Sequence, residues 1–183
     1  MSAGFGEGSG PGRPSGPEPF VTGYRAHQGD LMVYGGGMVT VLGVLATVVQ
    51  VNPSFLVLSL LGSLSAFYFW PTLDMRAPQL GADMRGVFVA RIGVIRWDAI
   101  KSMKVEWRAL RTMQLVTLVI TIDRPLPEAL AYKDKVSPLR WIAARNARVS
   151  GRTIKVTLHT LAMDPAIVEE RLNALRTAAK FGS

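Results

Sequence analysis

The chain has 183 residues, 49% of them apolar and 19% charged, with a formal net charge of +8. It has no cysteine, which excludes disulfides, thiol catalysis, iron–sulfur clusters and cysteine-bound zinc; its two histidines, His27 and His159, are too few for a histidine metal centre. A soluble domain usually carries charge on about a quarter of its residues; the deficit here is local, because no charged residue falls between Asp30 and Asp74.

Residues 1–30 are expected to form a disordered tail followed by a membrane-interface segment. Glycine, proline and serine dominate Met1 to Pro19, a composition that buries too little apolar surface to offset the entropy of ordering. The Gly4-Phe5-Gly6 pattern lacks the preceding strand and following helix that a phosphate loop needs. No basic residues lead into an apolar core before residue 31, so no secretion signal is expected. Between Phe20 and Asp30 lie Tyr24, Arg25 and His27, read as an anchor with the aromatic ring at headgroup depth and the cation in water.

Residues 31–73 read as a transmembrane α-hairpin. The first span, Leu31 to Val51, has 21 residues; at about 1.5 Å each it reaches about 31 Å, close to the hydrocarbon thickness of a bilayer. Val51-Asn52-Pro53-Ser54 makes the turn. The second span, Ser54 to Leu73, closes on the aromatic run Phe67-Tyr68-Phe69-Trp70 before Pro71. Neither span has a polar stripe. As core helices of a soluble protein they would need protein on every side, and the remaining chain is too short to supply it. Gly36, Gly43, Ser59, Gly62, Ser63 and Ala66 are candidate packing positions, because small residues let helix backbones approach. They serve either to pack the two helices together or to dock another membrane protein. The turn has no Lys or Arg, whereas residues 74–183 hold nineteen against ten acids. The positive-inside rule then places both termini in the cytoplasm.

Residues 74–183 are predicted to form an α+β domain. The apolar period drops to two, with a strand at 79–83, a turn at Met84-Arg85-Gly86 and a hairpin over Val87–Ile95. Alternating Met103, Val105 and Trp107 follow, then a strand from Met113 to Asp123. A last strand, Thr153 to Thr160, sets Ile154, Val156 and Leu158 against Lys155, Thr157 and His159, which places His159 on the solvent side. Asp164 and Pro165 open a C-terminal helix with the apolar stripe Val168, Leu172, Leu175 and Ala179.

The turn Asp83-Met84-Arg85-Gly86-Val87, the run Val94-Ile95-Arg96-Trp97-Asp98-Ala99-Ile100 and the late segment Thr153 to Asp164 resemble small bacterial membrane proteins with two transmembrane helices and a pleckstrin-homology-like (PH-like) domain. The resemblance covers about residues 31–180. It implies a bent antiparallel sheet or barrel of about seven strands, capped by the C-terminal helix, at the bacterial cytoplasmic membrane. It implies no activity. The long stretch between Arg124 and Arg152 departs from the pattern.

That stretch holds the densest charge. From Lys133 to Lys155 there are seven basic residues and one acid, Asp134. Ser137-Pro138 reads as a helix start and Leu139 to Val149 as its body. Leu139, Ile142, Ala143, Asn146 and Val149 share one face, with Arg140, Arg145, Arg148 and Trp141 opposite. Lys133, Lys135, Arg140, Trp141, Arg145, Arg148 and Arg152 are the candidate contacts. They are either solvated on a packed connecting helix, drawn to anionic lipid at about 1 kcal/mol per near-surface cation, or matched to an acidic protein. No nucleic-acid partner is expected, since aromatics do not interleave with the basic run. Asp74, Asp83, Asp98 and Asp123 are scattered singly, and no catalytic residue, cofactor or metal site is expected. The leading expectation is a non-enzymatic interaction or scaffolding module at the inner leaflet. The alternative is an accessory subunit or assembly factor of a larger membrane complex, docked through its small-residue helices.

Overall fold

The computed structural model describes residues 17–27, 29–74, 77–110, 113–134, 143 and 145–181. Helices α1 (Asp30–Gln50) and α2 (Phe55–Phe69) pack antiparallel. Contacts step backwards along α2 as they step forward along α1, from Gly36 against Gly62 to Gly43 against Ser59 and Phe55. The reversal is sharp because Val51 takes a left-handed conformation (φ 50°), and because the Asn52 side chain accepts the Ser54 N–H at 3.0 Å. Pro71 cannot donate to the helical ladder, so α2 gives way to one 3₁₀ turn, Trp70–Leu73. Both helices are long and apolar enough to cross a membrane, the second when counted through Leu73, and only 17% of either apolar window is buried within the chain. Helices at the core of a soluble domain would be mostly enclosed. These two instead expose Leu31, Val41, Val48, Leu60 and Leu64.

The rest of the described chain is a domain of two antiparallel sheets and a helix. Strands β1 (Phe20–Thr22), β2 (Leu80–Asp83), β3 (Gly86–Val89), β4 (Gly93–Arg96) and β7 (Leu130–Lys133) form one sheet in that order. Strands β5 (Ile100–Leu110), β6 (Met113–Ile122), β9 (Thr153–Thr157) and β8 (Ala147–Ser150) form the other, ordered β5-β6-β9-β8. A short helix, α3 (Leu126–Ala129), precedes β7, and α4 (Pro165–Phe181) ends the described chain. Leu80, Val87, Val89 and Ile95 from the first sheet meet Leu118, Ile120, Ile154 and Val156 from the second, under Val168, Leu172 and Leu175 of α4. Each such aliphatic side chain contributes about 1.5–3 kcal/mol by leaving water. Arg176 ties α4 to the start of β5, donating to the carbonyls of Ile100 and Lys101 at 3.1 and 3.0 Å.

Several expectations need correction. The single bent sheet or barrel of about seven strands is instead two sheets, and no barrel closes. The break falls at Trp97–Ala99, a 3₁₀ turn that carries the chain out of the first sheet. The Trp97 indole N–H donates to the Asp83 carbonyl at 2.8 Å and pins the turn, so β4 pairs with β7 and not with β5. The segment from Phe20 to Asp30, expected as an interface anchor, is partly sheet, since Phe20 pairs with Ala82 and Thr22 with Leu80. Tyr24 is buried and bridges Leu161. The helix expected to run to Val149 does not reach it, because Ala147–Ser150 is a strand on β9. Its first part, 137–142, lies outside the described residues, as does most of the glycine-rich tail. The last strand stops at Thr157, and His159 sits half-buried in the following turn, its Nδ1 enclosed without a hydrogen-bond partner among the described residues.

Candidate functional site

The predicted packing residues form the seam between α1 and α2. A Cβ on Gly36 would lie 2.7 Å from the Gly62 carbonyl oxygen and 3.0 Å from the Ala66 nitrogen; one on Gly62 would meet Gly36 and Thr40. A Cβ on Gly43 would strike the Ser59 hydroxyl. The seam also carries hydrogen bonds between the helices. The Ser59 hydroxyl donates to the Thr40 carbonyl at 3.1 Å, the Thr40 hydroxyl donates to the Ser59 carbonyl at 3.3 Å, and Ser63 lies 3.2 Å from the same Thr40 oxygen. Thr40 was not among the residues read from sequence, although a hydroxyl inside an apolar span is a signal for interhelical bonding. Gly35 and Gly37, on other faces of α1, have nothing within 4 Å of a Cβ position.

At the foot of the hairpin the chain enters the β-domain twice. On one side the Arg25 N–H donates to Thr160 O (2.9 Å), Ala162 N–H to Gly23 O (3.0 Å) and Met163 N–H to the Thr22 hydroxyl (3.2 Å). On the other, the segment after Leu73 leads to β2, where the Gln79 N–H donates to Thr22 O at 2.9 Å. The two feet also touch, with Gly29 packed directly on the Thr72 side chain.

Between this foot and the domain lies a cavity of about 640 Å³. Tyr68, from the last turn of α2, forms one wall. Arg91, Arg145, Asn146 and Arg148 line the others. Arg91 occupies the β3–β4 turn in a left-handed conformation (φ 67°). Its backbone N–H donates to the Asp134 carboxylate at 2.8 Å and its Nη1 to the Ala143 carbonyl at 3.1 Å, so one residue holds the chain on both sides of 135–142. Asn146 is 8% exposed. Its Oδ1 accepts the Thr160 hydroxyl at 2.8 Å, while its Nδ2 is buried without an acceptor among the described residues. Arg148 stands directly opposite Lys155 across the β8–β9 pairing. Like charges so placed repel one another. Burial raises the Tyr24 phenol above its usual pKa and nearby Tyr68 adds to that, while the Arg91 charge works against it.

Of the predicted contact residues, Arg145 and Arg148 line this cavity. Lys133 lies on β7 opposite Gly93, and Arg152 sits in the β8–β9 turn, outside the lining. Lys135, Arg140 and Trp141 lie outside the described residues. Arg91 and Asn146 come from distant segments and carry no local motif that would have found them. Two of the scattered carboxylates do converge. Arg96 grips Asp98 through two bonds of 2.9 Å, and Arg124 bonds Asp123 at 2.8 and 3.1 Å while reaching Asp98 at 3.5 Å. The bond from Arg124 holds the Asp123 carboxyl below its usual pKa. Both carboxylates are engaged by guanidinium groups, and among the described residues no three acidic or histidine side chains gather as a metal site would require.

Compared with models of known families, with curated proteins and with solved structures, the chain matches none.

Proposed function

We propose that this chain is a non-enzymatic integral protein of the bacterial cytoplasmic membrane, with both termini cytoplasmic, whose PH-like domain is an interaction or scaffolding module at the inner leaflet. The observation that carries this reading is the double entry at the hairpin foot. Strand β1 before the helices pairs with β2 after them, so the domain is fixed against the end of the hairpin from both sides. The uneven charge agrees with it, since the basic excess lies outside the spans and draws the domain to an anionic surface. Two packed sheets covered by a C-terminal helix suit a PH-like fold, and the engaged state of Asp98 and Asp123 gives no poised acid–base pair.

A second reading, a subunit docked through its helices, is favoured by the open faces at Gly35 and Gly37. The seam glycines are already occupied within the hairpin. Purification in mild detergent, with mass spectrometry of co-purifying proteins, separates the two. The scaffolding reading expects partners that survive Gly35→Leu and Gly37→Leu but are lost when residues on the β-domain surface are changed. A stoichiometric membrane partner lost on Gly35→Leu would establish the subunit reading in its place.

A further inference from the structure

We propose that the cavity between the hairpin foot and the β-domain is a binding site for a phosphate group, presented by the headgroup of an anionic phospholipid or as the free anion. The proposal rests on the reading that the hairpin spans the membrane. Its volume, about 640 Å³, is in the range of small-ligand sites and ample for a glycerophosphate headgroup. Three guanidinium-bearing residues, Arg91, Arg145 and Arg148, line it, and guanidinium groups match phosphate oxygens in charge and bidentate geometry. One cost in the structure points the same way. Asn146 lines the cavity and keeps a buried amide donor without an acceptor among the described residues, an expense of about 1–3 kcal/mol that an anion or its bound water reaching it would offset.

Position selects the ligand. Tyr68 belongs to the aromatic run that closes the second span, so one wall of the cavity stands where a bilayer places its phosphates. Basic pockets beside membrane helices at this depth are a recurrent headgroup site. A solvent-borne phosphate would satisfy the same arginines, and only experiment distinguishes the two sources.

The test uses the full chain in nanodiscs of phosphatidylcholine with or without phosphatidylglycerol, counting retained lipid by native mass spectrometry; inorganic phosphate is titrated into the lipid-neutral sample in parallel. Wild type is expected to retain phosphatidylglycerol over phosphatidylcholine. Arg145→Gln and Arg148→Gln should each reduce that preference about fivefold, one near-surface cation apiece, while Arg152→Gln, which removes the same charge outside the cavity, leaves it unchanged. All three change exposed side chains, so folding is preserved without relying on Arg91. Saturable, Arg145- and Arg148-dependent binding of inorganic phosphate alone would support the site and assign it to the free anion. Equal loss in all three arginine variants, or no preference for either ligand, would overturn it. Extraction of the same sample with alkaline carbonate tells the two failures apart. A chain that stays in the membrane yet shows no preference refutes only this site, and one that leaves the membrane refutes the reading beneath it.

Discussion

At the scale of single residues, the hairpin depends on a few polar atoms in an apolar seam. Thr40 and Ser59 each donate to the other's carbonyl, bonds worth about 0.6–2 kcal/mol inside a membrane. Thr40→Val and Ser59→Ala should each lower thermal stability in detergent. Each change removes one bond and leaves the other's hydroxyl and backbone acceptor in place, so the double variant should lose more than either single one; a double variant no less stable than a single one would deny that the seam holds two bonds. Tyr24 gives a second prediction. Burial raises its pKa, so its protonated form belongs to the folded state. Its contribution to stability is complete below the unfolded phenol value of about 10 and is lost as pH rises through the folded one. In a near-ultraviolet titration of the folded protein, Tyr24→Phe should remove a late-ionising step. An unchanged curve would contradict the buried position. The glycines and serines of the seam were legible because helical spacing alone sets small residues on a common face. Arg91 and Asn146 were not, since their roles come from segments about fifty residues apart that only the folded chain brings together.

At the scale of elements, the instructive departure is β8. Residues 139–149 carry a helical period, yet Ala147–Ser150 pairs as an edge strand with β9. The competing signal was Gly151-Arg152. Ser150 pairs with Thr153, which leaves two residues in the turn, and Gly151 takes the positive φ (58°) that such hairpins require. A two-residue turn fixes its flanks as strands more firmly than a short amphipathic stretch fixes a helix. In this cysteine-free chain, Arg148→Cys with Lys155→Cys should form a disulfide under mild oxidation, since the two positions face each other across the pairing. A helix continuing to Val149 would leave them unlinked. Strand β9 was readable from alternation because it buries one face, Ile154 and Val156, on the shared core. Strand β1 was not, since three residues carry too short a pattern and their partner lies some sixty positions along the chain.

At the scale of the whole molecule, the separation into an uncharged hairpin and a basic domain was legible from charge alone. The sequence showed the two as units in series; the fold joins them as a clasp. Both feet of the hairpin run into the same pair of strands, β1 and β2, and Gly29 rests on Thr72 between them. A domain held at both ends cannot swing away on a tether, and this is what would make the arginine-lined cavity a feature of the membrane surface. The most direct test is thiol labelling of single cysteines placed at three exposed positions, Val21, Asn52 and Phe181, in sealed spheroplasts treated with a membrane-impermeant maleimide. The account predicts that Asn52→Cys is labelled from outside, while Val21→Cys and Phe181→Cys react only after the membrane is opened. Labelling of Asn52→Cys and Phe181→Cys from the same side, or of Val21→Cys and Phe181→Cys from opposite sides, would contradict it.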